Sequence, residues 1–344
     1  MFIPRYTITD QLLANIKQIT ILVQELNNRH FSQPVLLEME RVARAISTYA
    51  STSIEGNPLP LTDVKKILKS KPENIRDSER EILNYNQALI FLELQRVRKN
   101  FTLTLRTILK IHKQVTDGLL PRSDIGTLRQ KPVVVHNPRT RKIVYLPPDV
   151  EIVQSLMNEL VEFIHRESGT IDPLILAGIF HKQLVIIHPF MDGNGRTTRL
   201  VTKALLANMG LDTFNLFSFE NYYNQNVTKY FQMVGEYGDY NDLVQKIDFT
   251  IWLEYFTGGI IDELLRVEKL LPKSGTTPET RLEVHHHAIL DFIQKNGFIF
   301  DRDYSKITDR AKATRVLDFQ KLLDLGMIER KGGGRSTYYT IRED

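Results

Sequence analysis

The 344-residue chain contains no cysteine. That excludes disulfides, thiolate metal centres and thiol nucleophiles. It has no long uncharged apolar run, and Met1 to Arg5 are not followed by a secretory apolar core. A membrane-spanning helix and a leader are therefore not expected, and a soluble cytoplasmic protein is. Internal repeats and low-complexity segments are missing too, which argues against solenoids and disordered arrays. The phosphate loop G-x-x-x-x-G-K-[S/T] is absent, so ATPase chemistry of that class has no support. Neither sign of charge dominates: 45 Lys and Arg stand against 41 Asp and Glu, for a net charge of +4. Such a balance suits anionic partners without demanding nucleic acid. Hydrophobic residues at 42% and charged residues at 25% are ordinary for a globular chain long enough for two or three domains.

What is present is helical periodicity. Leu12, Leu13, Ile16, Ile19, Leu22, Val23 and Leu26 recur at spacings of three and four. A second amphipathic stretch runs from about Val35 to Tyr49. Pro58 and Pro60 interrupt, and a short helix follows from about Thr62. Ile82, Tyr85, Leu89, Leu92 and Leu94 mark a long helix, and Leu105, Ile108 and Ile111 another. Between Gly126 and Pro148 the pattern changes. Val133 to Val135 and Ile143 to Tyr145 are β-prone, with turn chemistry at Asn137 to Thr140, so a hairpin inserted in a helical body is predicted. Helices resume near Val150; Pro173 opens one, Gly210 closes a later one, and they continue to about Leu271. Pro272 to Pro278 reads as a linker.

The segment His188-Pro189-Phe190-Met191-Asp192-Gly193-Asn194-Gly195-Arg196-Thr197-Thr198-Arg199 concentrates chemistry between two apolar helices. Pro189 stops the first helix and leaves His188 at its exit. Gly193 and Gly195 permit a tight loop with inward amides. Asn194 or Gly195 would cap the second helix, whose N-terminus favours an anion. Arg196 and Arg199 share its first turn and can clamp phosphate oxygens. Asp192 supplies a hard oxygen ligand for Mg²⁺ bridging two phosphates. His188 can take a hydroxyl proton near neutral pH.

This string matches H-P-F-x-D-G-N-G-R-x-x-R without a departure, and the chain thereby resembles the Fic family. The resemblance implies transfer of AMP from ATP to a Tyr, Thr or Ser hydroxyl of a protein target, which could be the chain itself. It makes His188 the general base, Asp192 the Mg²⁺ ligand, Gly193 to Gly195 the anion hole and Arg199 the γ-phosphate clamp. Within the family a Lys in place of Gly195 goes with a kinase-like branch; Gly195 favours AMP transfer. The likeness extends from roughly Leu105 to Ile260. Gly126 to Arg129 and the hairpin ending at Pro148 look like the family's flap, which registers the target chain by strand-like pairing. Tyr223, Asn226 and Tyr230, with Tyr222 and Phe231, resemble its nucleoside-side helix, although aromatics at helical spacing also read as core. His181 reads as a buried packing residue. Upstream, Ser51-Thr52-Ser53-Ile54-Glu55-Gly56 matches the family's inhibitory signature [S/T]-x-x-x-E-[G/N]. The resemblance implies that Glu55 pairs with Arg199 and blocks the γ-phosphate seat.

In the tail, helices are predicted at His286 to Lys295, near Ser305 to Lys312 and at Thr314 to Leu325, before a Gly332 to Gly334 turn and the run Tyr338 to Ile341. That is the layout of a winged helix-turn-helix. Thr314, Arg315 and Lys321 would lie on the recognition helix and Arg330, Lys331 and Arg335 on the wing. Acids nearly balance the bases, so DNA binding and a packing or dimerisation role stand level. The sequence thus predicts a mostly α protein: a Fic-fold helical bundle with a β-hairpin flap, plus a C-terminal winged helix-turn-helix. The expected divisions are 1–100 with the inhibitory motif, a catalytic core over 101–271, a linker over 272–281 and the winged helix over 282–344. Two alternatives remain: another nucleotidyl or phosphate transfer, or removal of AMP, at the same site; or a DNA-binding regulator whose Fic site is idle. The expected partners are a protein target, with DNA and a second copy of the chain as further candidates, and no membrane.

Overall fold

The computed structural model describes residues 1–27, 33–97, 101–136, 142–208, 218–270 and 282–342. The chain divides into two compact units. One comprises Met1–Asn28 and Val42–Leu270, the other Arg29–Arg41 and Leu271–Asp344.

The larger unit is helical and is organised around one buried helix. Its helices in chain order are α1 (Asp10–Asn27), the later turns of α2 (Gln33–Ile54), α3 (Leu61–Lys69), α4 (Asp77–Val97), α5 (Leu105–Thr116), α6 (Val150–Glu167), α7 (Pro173–Ile187), α8 (Asn194–Asn208), α9 (Phe219–Gln225), α10 (Val227–Val234), α11 (Tyr240–Leu243) and α12 (Thr250–Leu270). The central helix is α7. It is mostly apolar, and every residue from Leu174 to Ile187 except Val185 is buried, as expected of a helix enclosed by others. Pro173 occupies its first turn, and the Asp172 carboxylate accepts from the Leu174 amide at 2.8 Å, a start that needs no preceding helical residue. The helices α6, α8, α10 and α12 pack around it, and Trp252 of α12 donates its indole N–H to the Gly178 carbonyl at 2.7 Å. The opening helix α1 lies along α12, where the Asn15 amide donates to Glu254 O and Thr257 Oγ1. Its apolar spacing of three and four therefore finds its partner some 240 residues away. A small core of Val64, Ile67 and Ile82 joins α3 to α4.

The predicted hairpin forms, with a first strand shorter than its β-prone run, and gains a third strand. β1 (Val135–His136) pairs antiparallel with β2 (Ile143–Leu146), and β3 (Gly238–Asp239) pairs parallel with β2. Val133 and Val134 stay outside the ladder. A two-residue strand containing glycine gives no periodic signal, so β3 was not legible in the sequence. The turn at Asn137 to Thr140, Gly210 and the linker Pro272 to Pro278 lie outside the described residues.

In the smaller unit three helices, α13 (Val284–Asn296), α14 (Asp301–Ile307) and α15 (Lys312–Asp324), precede an antiparallel hairpin of β4 (Ile328–Lys331) and β5 (Tyr338–Ile341). The order agrees with expectation. Helix α14, however, begins and ends earlier than the predicted Ser305 to Lys312. Asp301 and Asp303 occupy its first turn, and the Asp303 carboxylate accepts from the Phe300 amide at 3.3 Å, fixing the start upstream. Ile289, Ile293, Ile299, Tyr304, Phe319, Leu322, Met327 and Ile328 form the core, and Phe319 stacks on Tyr339 with ring centroids 4.2 Å apart. Asp318 is buried and holds Tyr304 Oη at 2.9 Å and Arg310 Nε at 2.8 Å. No described helix is long and apolar enough to cross a membrane.

Candidate active site

His188 terminates α7 in the left-handed conformation, φ 48° and ψ 58°. It is the one non-glycine residue with positive φ among the described residues. That region is uncommon for side chains larger than glycine and is retained where surrounding contacts impose it. Here the imposing contact is Arg129. Its Nε donates to the His188 carbonyl at 2.9 Å, its Nη1 donates to the Lys131 carbonyl at 3.4 Å and its Nη2 donates to the Pro148 carbonyl. Its own amide donates to the Pro189 carbonyl at 2.9 Å. One buried guanidinium thus joins the turn at His188 to both sides of the hairpin. Within the imidazole, Nδ1 lies 3.3 Å from the Val185 carbonyl. A proton on Nδ1 makes that bond and leaves Nε2 bare, the form a general base requires. Burial pushes the His188 pKa below its ordinary value, while the Val185 bond and the Glu55 charge oppose that in part.

The loop after His188 is fixed from within. Asn194 accepts from the Phe190 amide and donates to the Phe190 carbonyl, each at 2.9 Å. Its side chain is therefore engaged by the loop rather than by the first amides of α8. The Phe190 ring stacks on His112, centroids 3.8 Å apart and planes within 7°. His112 Nδ1 accepts from the Gly126 amide at 3.0 Å, so its Nε2 carries the proton and donates to the Asp192 carbonyl at 2.9 Å. Asp192 Oδ1 accepts from the Gly193 amide at 2.5 Å and Oδ2 lies 3.1 Å from Arg196 Nη2. Its side chain remains 59% exposed. A carboxylate offers about four lone-pair sites, so Asp192 retains acceptor capacity of the hard type that Mg²⁺ takes.

The two arginines diverge. Arg196, 2% exposed, spans Glu81 at 2.6 Å and Asp192, and it turns away from the cavity. Arg199, fully buried, faces the cavity. Its Nη2 donates to Glu55 Oε1 at 2.7 Å and to the Ser51 carbonyl at 2.9 Å, and its Nε donates to Ser51 Oγ at 2.7 Å. Burial works against the Arg199 charge, but the Glu55 carboxylate together with Tyr230 and Tyr85 outweighs it and the guanidinium pKa rises. Ser51 and Glu55 lie on one stripe at the end of α2, and α2 runs on through Ile54, further than the apolar pattern to Tyr49 indicated. A β-carbon at residue 195 would lie 2.2 Å from Glu55 Oε1 and 2.9 Å from Arg199 Nη1. The carboxylate therefore occupies the cradle that Gly195 leaves open beside Arg199.

His188, Asn194, Gly195, Arg199, Glu55 and Tyr230 line one cavity of about 340 Å³, within the range of small-molecule sites. Val135, Val144, Ile186, Phe231 and Val234 give it apolar walls. Tyr145 of β2, also in the lining, donates its hydroxyl to the Ile186 carbonyl at 3.0 Å. Gly235 to Tyr237 complete one side. Buried Lys182 holds that segment through the Met233 carbonyl at 3.1 Å and the Glu236 carboxylate at 2.8 Å. Asp192, Gly193, Ser51, Tyr223 and Asn226 are not in the lining. Tyr223 is buried behind Tyr230, rings 4.4 Å apart, and Asn226 caps α10 by accepting from the Lys229 amide at 3.0 Å. Glu81, His112 and Lys182 received no role from the sequence, and Arg129 only a place in the flap-like segment. His112 was the discoverable one, because it stands on the apolar face of α5 beside Ile108, Ile111 and Val115. Glu81 acts by pairing with Arg196 from a distant helix, and Arg129 and Lys182 act through backbone carbonyls, contacts that have no sequence signature.

In the smaller unit Arg315 makes a bidentate pair with Asp301 at 2.8 and 2.9 Å, and Lys331 pairs with Glu329 at 2.7 Å. His286 is buried and accepts from the Glu283 amide at 3.0 Å, a capping role.

Residues 102–206 match the Fic/DOC family. The likeness to that family is carried by this segment. The protein adenylyltransferase Fic of Aedes aegypti is 29% identical over 219 residues, covering 58% of this chain and 42% of that protein. The protein adenylyltransferase fic-1 of Caenorhabditis elegans is 30% identical over 201 residues, covering 57% of this chain and 38% of that one. The chain thus spans about two fifths of the length of these curated relatives. Among solved structures, a Fic family protein from Desulfovibrio desulfuricans G20 superposes with a TM-score of 0.66 at 19% identity, covering 100% of this chain and 99% of that one. Fic-1 from C. elegans gives 0.59 at 23% identity, covering 75% and 72%. The mostly helical architecture is the fold of these proteins.

Proposed function

We propose that this chain is a protein adenylyltransferase that moves AMP from ATP to a Tyr, Thr or Ser hydroxyl, held in check by Glu55. The observation that supports this best is the buried Arg199 guanidinium, held by a carboxylate inside the cavity that His188 lines. A buried cation facing an open cradle suits an anionic ligand, and a base with a bare Nε2 on the same wall suits a hydroxyl. In the reaction the hydroxyl oxygen bonds to the α-phosphorus of ATP. The bond from that phosphorus to the bridging oxygen breaks, pyrophosphate leaves, and the hydroxyl proton passes to His188 Nε2. Gly193 to Gly195 and Arg199 hold the leaving phosphates. Asp192 would hold Mg²⁺, which when bound neutralises phosphate charge. Arg196, tied to Glu81, keeps Asp192 in place. The exposed edge of the β1–β2 hairpin suits an extended target segment, which could come from the chain itself. The site of action is the cytoplasm.

Incubating the Glu55→Gly protein with labelled ATP and cell lysate tests the reading. AMP-modified protein is expected; pyrophosphate-free phosphorylation or transfer of another nucleotide would replace it. The rival, a DNA-binding regulator acting through the tail, would require salt-dependent DNA binding without product. The engagement of Arg315 by Asp301 and of Lys331 by Glu329 leaves that face less cation for phosphates.

A further inference from the structure

Arg199 has one neighbour that the inhibitory pairing does not account for. Its Nη1 lies 3.5 Å from Tyr230 Oη, with the guanidinium carbon 6.0 Å from the Tyr230 ring centroid. The direction of the hydrogen bonds behind Tyr230 follows by elimination. Thr202 Oγ1 donates its single proton to the Thr198 carbonyl at 2.8 Å. It can therefore only accept from His181 Nδ1, 3.1 Å away. His181 is fully buried, and burial holds its pKa well below the ordinary imidazole value, with the Arg199 charge acting the same way. A neutral imidazole with its proton on Nδ1 has a bare Nε2, which lies 3.0 Å from Tyr230 Oη. Tyr230 must donate there. Its oxygen then has only lone pairs to offer the cavity.

We infer that Tyr230 is a positioning residue for Arg199, and that His181 makes it one by fixing the direction of its hydroxyl. The inference rests on the reading of Arg199 as the phosphate clamp. A hydroxyl locked as an acceptor attracts Nη1 and repels phosphate oxygens. When Glu55 leaves, Ser51 Oγ holds Nε and Tyr230 holds Nη1. What is set free is one N–H of Nη2, the one Glu55 occupied; the other stays on the Ser51 carbonyl. The guanidinium keeps its orientation and presents that edge to the incoming phosphate instead of folding onto the tyrosine or swinging through the cavity. The same one-way hydroxyl keeps triphosphate oxygens off the α10 wall and directs them to the Gly195 side. His181, which the sequence read as packing alone, acts on the ligand through one intervening side chain.

The experiment is a double-mutant cycle on ATP affinity in the Glu55→Gly protein, read by calorimetry, with melting temperatures recorded alongside. Tyr230→Phe is expected to weaken ATP binding by about three- to tenfold, less than a well-made hydrogen bond to a charged group because the Nη1 contact is 3.5 Å long. His181→Leu removes the acceptor and lets the Tyr230 proton turn toward the cavity, with a similar loss. His181→Gln, whose amide can accept from Tyr230 and donate to Thr202, recovers most of it. In the Tyr230→Phe background His181→Leu should add no further loss of affinity, whatever it does to melting temperature. Additive losses, or unchanged affinity in Tyr230→Phe, would overturn the inference while the phosphate clamp stands. A Glu55→Gly protein that binds no ATP would instead remove the proposed function and this inference with it.

Discussion

Glu55 Oε1 stands 2.7 Å from Arg199 Nη2 and occupies the space beside Gly195 where a β-carbon would be only 2.2 Å from it. A carboxylate and a phosphate oxygen compete for the same guanidinium edge, and like charges exclude each other from it. Glu55→Gly should therefore raise transfer, with modification of the chain itself an early product. A hydrogen bond to a charged group contributes about 1.5–3 kcal/mol, or roughly ten- to a hundredfold in rate if fully realised. Arg199→Ala should cancel the gain. Unchanged transfer in Glu55→Gly, with Arg199→Ala still inactive, would leave the catalytic reading and remove the brake.

His188→Ala should abolish transfer in the Glu55→Gly background while ATP binding persists, because the phosphate contacts lie on other residues. A positioned base contributes roughly 10² to 10⁴-fold. The pH profile has a defined sign. Only neutral His188 can accept the proton, and burial holds its pKa below the ordinary value. The acid limb of activity should therefore fall below pH 6.5, the ordinary imidazole value. A limb at or above that value would show that the imidazole is not buried as described.

Much of this site was legible because it is local. His188, Asp192, Gly193, Asn194, Gly195, Arg196 and Arg199 sit on one helix–turn–helix segment, so their order in sequence is nearly their arrangement in space. Glu55 was legible because it falls at the end of a helix whose register sets Ser51 one turn before it. The directions of side chains were less accessible. Arg196 and Arg199 are equivalent on a helical wheel's first turn, yet Glu81 of α4 withdraws one and Ser51 and Glu55 of α2 engage the other. That choice is made by helices more than a hundred residues distant in sequence. Tyr230 was assigned to the nucleoside side and stands against Arg199, because α10 docks on α7 through His181.

The neutral, buried His112 predicts acid sensitivity of the fold itself. Burial depresses its pKa to about 4, against about 6.5 in an unfolded chain. Between those values the unfolded chain binds a proton that the folded chain refuses, so stability is complete above about pH 6.5 and falls as pH drops toward 4. At pH 5 the loss from this residue is on the order of 2 kcal/mol. Protonation would place Nδ1–H against the Gly126 amide and break the bond that holds the segment leading to Arg129. Denaturant titrations at pH 7.5 and 5.0 should show this loss, and His112→Asn should show a smaller difference between the two pH values. An equal pH dependence in the variant would move the effect to other groups.

Arg129 supplies the most direct test of how the hairpin is coupled to the base. Its guanidinium donates to carbonyls of His188, Lys131 and Pro148, and it is 2% exposed. Burial disfavours its charge, and Asp149 is the largest of the influences that oppose this. Lysine at this position keeps a charge but loses the planar fork that reaches three carbonyls at once. Arg129→Lys should therefore fold, with a melting temperature lowered by several degrees as buried carbonyls lose partners at about 1–3 kcal/mol each. The larger effect should be on turnover. Without the Nε contact the His188 carbonyl is freed and the left-handed turn can relax, moving Nε2 from the cavity wall. Turnover in the Glu55→Gly background should fall at least tenfold while ATP affinity changes little, since Arg199 and Gly195 are untouched. A matching loss of ATP affinity would mean that Arg129 supports the whole cavity rather than the base, and unchanged turnover would mean that His188 holds its conformation without it.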